Sequence, residues 1–285
     1  MKRLVILSGK GGTGKTTVSA ALIHLSQAKA VADCDVDAPN LHLVTRQTCP
    51  PQVADFMGGD KAVVTQKLCT GCGICEKRCQ FGAITVTRDG ASVNPYACEG
   101  CGVCQLMCPT DAITLVPDVA GQRQLYLGDS VFSTATLKMG RGNSGKLVSE
   151  VKTTMLKSAP ACDLAILDGS PGIGCPVMAS LGGMDMALIV AEPSNSGISD
   201  CKRLVQTAQG FGVKLAICVN KWDISPSHTA EIEAFCTQQH LPFVGKIPFD
   251  PQAVQAINNG ATVAEVDCPA RTAIGEIYRK IQHIL

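Results

Sequence analysis

Two groups of cysteines dominate the chemistry that this 285-residue sequence could perform. They form two runs, which are Cys69, Cys72, Cys75 and Cys79, then Cys98, Cys101, Cys104 and Cys108. Both runs have the spacing C-x2-C-x2-C-x3-C, with glycines between the cysteines. Thiolates spaced so closely can bind a soft metal centre, and glycine lets the backbone curl tightly around it.

The spacing is that of bacterial ferredoxins, which bind [4Fe–4S] clusters and take the fourth ligand of each cluster from the other run. The sequence therefore predicts two clusters with crossed ligands. The predicted ligands are Cys69, Cys72, Cys75 and Cys108 for the first cluster, and Cys98, Cys101, Cys104 and Cys79 for the second. Residues 69–85 also match residues 98–114 as an internal repeat, each ending in a short apolar strand (83–86 and 112–116).

Disulfides and zinc are the alternative uses of these cysteines. The amino terminus reads as a first strand rather than as a signal peptide, so we expect a cytoplasmic protein, in which disulfides are rare. Structural zinc sites usually pair two C-x2-C units rather than four-cysteine runs. The spacing favours iron–sulfur clusters over both alternatives. Gln80 departs from the pattern, because proline usually follows the last cysteine.

Residues 9–16 form a second chemical motif, because Gly-Lys-Gly-Gly-Thr-Gly-Lys-Thr satisfies G-x4-G-K-[ST]. A strand-like run at 4–7 precedes it and helical spacing over 16–25 follows it, as a phosphate-binding loop requires. The backbone N–H groups of 11–15 should bind phosphates, Lys15 should reach the β- and γ-phosphates of ATP, and Thr16 should bind Mg²⁺. The predicted nucleotide contacts are Gly9, Gly11, Gly12, Thr13, Gly14, Lys15, Thr16, Thr17, Gly172, Asn220 and Pro248.

Lys10 directly follows the first glycine of this loop. In this feature the chain resembles the MinD/Mrp/ParA group of ATPases, which includes the nitrogenase iron protein. The resemblance implies that Lys10 crosses a dimer interface to the partner's nucleotide. It also implies a homodimer in the ATP state, or a heterodimer with a related ATPase.

Two acidic segments resemble the switches of this group. Asp33 and Asp35 follow a strand-like run at 31–32, and by position Asp35 resembles the residue that orients the attacking water, with Asp33 as its support. Asp168 ends the run Leu-Ala-Ile-Leu-Asp and should hold Mg²⁺ through water. Gly172 follows it and could sense the γ-phosphate through its backbone. The expected catalytic residues are therefore Lys10, Lys15, Asp35 and Asp33.

The adenine side of the nucleotide is predicted from two later segments. Asn220 begins Asn-Lys-Trp-Asp after a buried strand, and Pro248 follows another strand. Both resemble base-side loops of the same ATPases, although N-K-x-D also occurs as a guanine motif in other P-loop proteins.

Apolar runs at 4–7, 164–167, 187–190 and 215–219 alternate with helical patterns. They predict a doubly wound, mostly parallel α/β sheet of the P-loop NTPase type, with a small α+β ferredoxin-like domain inserted. The predicted domains are 1–59 with 118–285, and the insert 60–117. A short strand at 124–127 and an exposed loop at 138–146 are expected between them.

Composition excludes some functions. The 25 basic and 24 acidic residues nearly balance, which argues against nucleic-acid binding. No apolar run approaches the ~20 residues that span a bilayer. The C-terminal stretch 271–285 is amphipathic, which favours docking on the sheet and leaves membrane contact as the alternative.

The remaining cysteines need separate treatment. Cys34, Cys162, Cys201, Cys218 and Cys236 stand in apolar or helical contexts and are predicted to be core residues. Cys175 lies seven residues after Asp168, at an offset similar to that of a bridging-cluster ligand of the nitrogenase iron protein, but no second matching cysteine accompanies it. A buried thiol is the simpler interpretation.

Together these features predict an ATPase whose nucleotide cycle gates electron transfer from two [4Fe–4S] clusters to a redox protein or metal-cofactor partner. An iron–sulfur cluster assembly or transfer factor is the first alternative. A MinD-like spatial organiser with a redox-sensing insert is the second.

Overall fold

The computed structural model describes all 285 residues and divides into two compact units. The first unit comprises Met1–Ala54, Arg123–Thr136 and Ser144–Leu285, and the second comprises Asp55–Gln122 and Leu137–Asn143. In chain order the elements are β1 (Lys2–Leu7), α1 (Lys15–Ser26), β2 (Ala30–Asp33), β3 (Gln52–Val64), α2 (Ile74–Arg78), β4 (Ile84–Thr87), β5 (Gly90–Val93), α3 (Val103–Leu106), β6 (Ile113–Leu127), β7 (Val131–Leu137), α4 (Ser144–Ser158), β8 (Leu164–Asp168), α5 (Cys175–Leu181), β9 (Met186–Ala191), α6 (Asn195–Gln209), β10 (Lys214–Asn220), α7 (Pro226–Gln238), β11 (Phe243–Ile247), α8 (Pro251–Asn258) and α9 (Pro269–Ile284).

The first unit is built on a parallel sheet with the strand order β11-β10-β9-β1-β8-β2-β7. Its central strands carry continuous apolar runs, and every residue of Leu4–Leu7 and of 187–190 is fully buried. Such runs form strands covered by helices on both faces. The predicted doubly wound α/β fold is confirmed.

Helix α9 covers part of this sheet. Ile274, Ile277 and Ile281 recur once per turn, are at most 1% exposed, and belong to the same core as α1 and β11. Three fully buried isoleucines stabilise the docked helix by roughly 5–9 kcal/mol in transfer free energy. The prediction that the C-terminal stripe docks on the sheet is therefore confirmed. None of the helices combines the length and hydrophobicity that crossing a membrane requires.

The second unit places β3 beside β6 and contains the antiparallel hairpin β4–β5 and the two short helices. Its small core joins alanines and isoleucines to buried cysteines: Ala62, Cys75, Ala83, Ile84, Ala91, Cys98, Cys104 and Ile113. The buried cysteines are thus themselves part of this small core.

The boundaries of the second unit differ from the predicted insert 60–117. Strand β3 continues through Gly58 and Gly59, and β6 continues through Pro117, so both predicted boundaries fall inside strands. The two predicted strands at 112–116 and 124–127 are one 15-residue strand. The predicted loop at 138–146 ends early, because α4 begins at Ser144.

Candidate functional site

The loop after β1 wraps the N-terminus of α1. Gly14 is the N-cap of α1 and has a φ of 89°, in the left-handed region that favours glycine. A Cβ at this position would lie 2.2 Å from the side-chain nitrogen of Asn220. That Asn220 Nδ2 donates to the carbonyl of Thr13 at 2.7 Å, which fixes the loop against the end of β10. The free N–H groups of α1 therefore face an anion site.

A buried polar cluster lies at the start of α1. Lys15 Nζ contacts Asp168 Oδ1 at 2.8 Å, with side chains 5% and 0% exposed. The Thr16 hydroxyl donates to Asp168 Oδ2 at 2.7 Å, and the Ser19 hydroxyl donates to Asp168 Oδ1 at 2.6 Å. A hydroxyl and a carboxylate at this separation supply the hard oxygen donors that Mg²⁺ prefers. Ser19 was not predicted, although it stands one helical turn after Lys15.

Asp33 shapes the loop after β2. Its carboxylate accepts hydrogen bonds from the backbone N–H groups of Asp35 at 3.1 Å, and of Asn40 and Leu41 at 3.0 Å each. Burial and the charge of Asp168 raise the pKa of Asp33 above its usual range. Asp33 thus holds the switch-like loop in place and is fully buried.

Asp35 is half-buried and lines the cavity over the phosphate-binding loop, whereas Asp33 does not. Burial raises the pKa of the Asp35 carboxyl. Of the two aspartates, Asp35 is therefore the one that can contact a molecule bound in this cavity.

The cavity over the loop has a volume of about 660 Å³, which is large enough for a nucleotide. Its walls contain the predicted residues Gly11, Gly12, Thr13, Gly14, Lys15, Thr16, Thr17, Asn220 and Pro248, together with Lys10. Gly9 and Gly172 do not line it. Gly9 instead packs so closely on α6 that a Cβ would lie 2.2 Å from Asp200 Cβ. The N–H of Gly172 donates to Ser8 O at 2.9 Å, so a contact with phosphate requires that this bond break.

Lys10 is held within its own chain. Its Nζ contacts Glu192 Oε2 at 2.8 Å and the Ser196 hydroxyl at 3.1 Å, and the lysine side chain is 36% exposed. Glu192 follows β9, at the same edge of the sheet as the loop. No sequence motif marks Glu192 or Ser196, which is why the sequence did not predict them.

The eight run cysteines line two separate cavities in the second unit, four at each. The first is lined by Cys69, Cys72, Cys75 and Cys108, and the second by Cys98, Cys101, Cys104 and Cys79. The last cysteine of each run thus lies with the first three of the other run. This is the crossed arrangement that the spacing predicts.

Backbone N–H groups point at the thiol sulfurs. The pairs are Ala91 with Cys69 at 3.4 Å, Ala62 with Cys98 at 3.5 Å, Ala83 with Cys79 at 3.4 Å and Ala112 with Cys108 at 3.3 Å. Donors of this kind favour the thiolate. Burial alone would raise the pKa of Cys108, but N–H groups of residues 110, 112 and 113 outweigh it, and the net pKa is lowered.

The glycines between the cysteines are required by the geometry. Gly100 has a φ of 65°, and a Cβ there would lie 2.2 Å from the carbonyl oxygen of Asp60. All sixteen cysteines are free thiols. No group of three or more histidine, cysteine, aspartate or glutamate side chains is arranged to hold a single metal ion. The four thiols of each group line one cavity instead.

The other cysteines divide by exposure. Cys34, Cys201, Cys218 and Cys236 are buried as predicted, whereas Cys162 is only partly buried. Cys175 is exposed rather than buried, as the first residue of α5.

Comparisons with known proteins agree with this site. A family model described as the CobQ/CobB/MinD/ParA nucleotide binding domain matches residues 4–263. An uncharacterized protein of Methanocaldococcus jannaschii is 32% identical over 290 residues, covering 99% of this chain and 97% of that protein. The iron–sulfur cluster carrier protein of the same organism is 23% identical over 296 residues, covering 98% of this chain and 83% of that protein.

Among solved structures, the cell division ATPase MinD of Pyrococcus furiosus has a TM-score of 0.60 and 19% identity, covering 100% of this chain and 99% of that chain. At this identity the likeness concerns the fold alone. The family model spans the phosphate-binding loop and Asn220, which line the cavity described above, and Asp168, which contacts Lys15 and Thr16. The chain therefore belongs to the CobQ/CobB/MinD/ParA nucleotide-binding family.

Proposed function

We propose that this protein is a Mg²⁺-dependent ATPase whose nucleotide cycle controls electron transfer from two [4Fe–4S] clusters to a partner protein or metal cofactor. One observation carries the proposal. Eight cysteines line two cavities in the crossed ligand pattern, on the same chain as a nucleotide cavity of about 660 Å³. Membership of the family supports nucleotide binding but does not account for the eight thiols.

The nucleotide side of the proposal uses groups that are already in place. Lys15 and the N-terminus of α1 would stabilise the phosphate charge, and Thr16 and Asp168 would hold Mg²⁺. Asp35 would position the attacking water. Lys10 would leave Glu192 and reach the nucleotide of a second subunit in an ATP-bound homodimer, or that of a related ATPase in a heterodimer.

The cluster side uses the two cysteine groups. Cys69, Cys72, Cys75 and Cys108 would hold one cluster, and Cys98, Cys101, Cys104 and Cys79 the other. When bound, such clusters supply one-electron chemistry at potentials that hydrogen bonds to sulfur tune. The four N–H groups directed at sulfur favour retained clusters, because they stabilise thiolate charge on both sites.

Anaerobic purification of the full chain tests the proposal. We expect about eight irons per chain, cluster absorption that is bleached by dithionite, and ATP hydrolysis that requires Mg²⁺. Reduced protein should then transfer electrons to a co-purified acceptor faster with ATP than with ADP. Iron near four per chain would contradict the crossed ligand sets, and transfer that ignores the nucleotide would contradict the coupling.

An iron–sulfur carrier is the second candidate. Cys72 and Cys101, one at each cavity, are exposed, which would let an acceptor reach a cluster. A cluster carrier protein is also among the relatives. The two candidates separate when the loaded protein is mixed with an apo-ferredoxin acceptor. A carrier loses iron to the acceptor within minutes, whereas an electron-transfer protein reduces a redox acceptor and keeps its iron.

A MinD-like organiser fits less well, because the apolar stripe of α9 is buried in the core. A cytoplasmic location and the absence of nucleic-acid binding remain predictions from the sequence. Co-sedimentation with anionic vesicles, with and without ATP, tests the organiser. Binding that requires ATP and the last helix would support it over electron transfer.

A further inference from the structure

The chain passes between the two units at four places. Three of them, at 54/55, 122/123 and 136/137, lie inside strands β3, β6 and β7. The fourth lies between Asn143 and Ser144, directly where helix α4 begins. Helix α4 is therefore the one helix of the first unit whose first residue directly follows a residue of the second unit in the chain.

Within the first unit, α4 holds both ends of α5. A Cβ on Gly145 would lie 3.2 Å from Cys175 Cβ, so the start of α4 is in close contact with the start of α5. Further along α4, Lys152 Nζ donates to the carbonyls of Ala179 and Gly182 at the end of α5. Because α5 follows Asp168 and Gly172 in the chain, a shift of that segment moves α5 and α4 together.

Within the second unit, the segment that leads into α4 is bound along its length. Lys138 N–H donates to Ala120 O at 2.8 Å, and the side chain of Asn143 donates to Gly58 O. Between them, Arg141 forms a salt bridge to Asp118 at 3.1 Å, with both side chains under a fifth exposed. Such a segment transmits displacement instead of absorbing it.

Arg141 also binds the turn that precedes the second cysteine run. Its guanidinium donates to Pro95 O at 3.0 Å and lies 5.0 Å from the centre of the Tyr96 ring. In the same turn the N–H groups of Ala97 and Cys98 donate to Asn94 O at 3.2 and 3.0 Å. The contact of Arg141 thus ends two residues before Cys98, which lines the second cysteine cavity.

We infer that α4 and Arg141 form a relay that carries the nucleotide state from the segment after Asp168 to Cys98. The second cysteine site is then the nucleotide-sensitive one. The equivalent turn before the first run, 65–69, closes through its own bonds from Leu68 to Thr65 and from Cys69 to Gln66 and receives no such arginine. This inference rests on the proposed function, since it names the regulation of the same sites.

The test uses the full chain, loaded with iron anaerobically, with and without Mg²⁺ and a non-hydrolysable ATP analogue. Two readouts are recorded: the cluster reduction potential, and deuterium exchange of the turn 94–98 beside the turn 65–69. In the native protein we expect the analogue to shift the potential and to change exchange at 94–98 but not at 65–69. In Arg141→Gln both responses should be lost, while iron content and nucleotide affinity are unchanged.

Arg88→Gln is the matched control, because it removes an exposed arginine of the same unit away from the relay. Lys152→Met cuts the relay inside the first unit, whereas the run cysteines belong to the second, and it should cause the same loss. It decides the question if Arg141→Gln loses iron. A native response that survives in Lys152→Met, or in an Arg141→Gln protein that keeps its iron, would overturn the relay and leave the proposed function standing. Failure of the native protein itself to respond would overturn both.

Discussion

The buried ion pair between Lys15 and Asp168 makes a sharp prediction for stability. The two side chains are 5% and 0% exposed and 2.8 Å apart. Asp168→Asn keeps the size of the side chain but leaves the Lys15 ammonium buried beside a neutral amide. Removing one partner of a buried pair costs about 3–5 kcal/mol in the free energy of unfolding.

The presence of Asp33 places the expected loss in free energy of unfolding at the lower end of that range. The charge of Asp168 helps to raise the pKa of Asp33, so Asp168→Asn also removes a repulsion. We therefore expect a loss of about 3 kcal/mol, which corresponds to a fall in Tm of roughly 6–12 °C for a unit of this size. The double variant Lys15→Met, Asp168→Asn should regain most of this loss, because it removes both charges.

The assay is urea and thermal denaturation of the nucleotide-free protein, followed by circular dichroism. The matched control is Lys202→Met, which breaks the exposed pair with Glu231 at 3.3 Å and should change stability by at most about 1 kcal/mol. If Asp168→Asn is no more destabilising than this control, or if the double variant is less stable than Asp168→Asn, the reasoning about the buried pair is refuted.

Three further predictions concern thiols, glycines and pH. Gly100→Ala should lose about half of the bound iron, because a Cβ there would lie 2.2 Å from Asp60 O. Gly142→Ala, in which the added Cβ meets nothing within 4 Å, should keep its iron. A colorimetric assay of iron per chain measures the difference. Iodoacetamide at pH 8 should label the exposed Cys175 but not Cys34 or Cys218, since burial raises the pKa of each of these two thiols to about 12. Peptide mass spectrometry identifies the labelled cysteines. Equal labelling of the three would contradict the burial argument. Burial and Asp168 raise the pKa of Asp33, so the native state binds this proton more tightly than the unfolded chain does; the contribution of Asp33 to stability is therefore largest below the usual carboxyl range and falls as pH rises through the raised pKa. Urea midpoints measured from pH 4 to pH 8 should show a component with this slope in the native chain and lack it in Asp33→Asn, and identical slopes would contradict the assignment.

Much of the site could be predicted because its motifs are local. The phosphate-binding loop is contiguous, and its position between a buried strand and a helix follows from hydrophobic periodicity. The crossed cysteine sets could also be predicted. The two runs have the same spacing, which is typical of ferredoxins in which each run gives its last cysteine to the other site. Asp168 could be predicted because it is the polar end of an apolar strand that is mostly buried.

What could not be predicted depends on contacts between distant segments. Glu192 pairs with Lys10 across 182 positions, and Ser19 meets Asp168 across 149. The boundaries of the second unit were missed because Gly58, Gly59 and Pro117 usually interrupt strands. Here β3 and β6 continue through these residues and lie beside each other in the sheet, so tertiary pairing outweighed local propensity.

The two lysines of the phosphate-binding loop have opposite energetics, and this difference bears on dimer formation. Lys15 is buried with Asp168, so displacing it without a substitute for that carboxylate costs several kcal/mol. Lys10 forms a partly exposed pair with Glu192, and such pairs contribute about 0–1 kcal/mol. The phosphates of a nucleotide bound to a second subunit would offer Lys10 more negative charge than Glu192 does. Lys10 can therefore leave Glu192 at little cost while Lys15, Thr16 and Asp168 stay assembled. The proposed dimer would not have to rebuild the site that Lys10 completes.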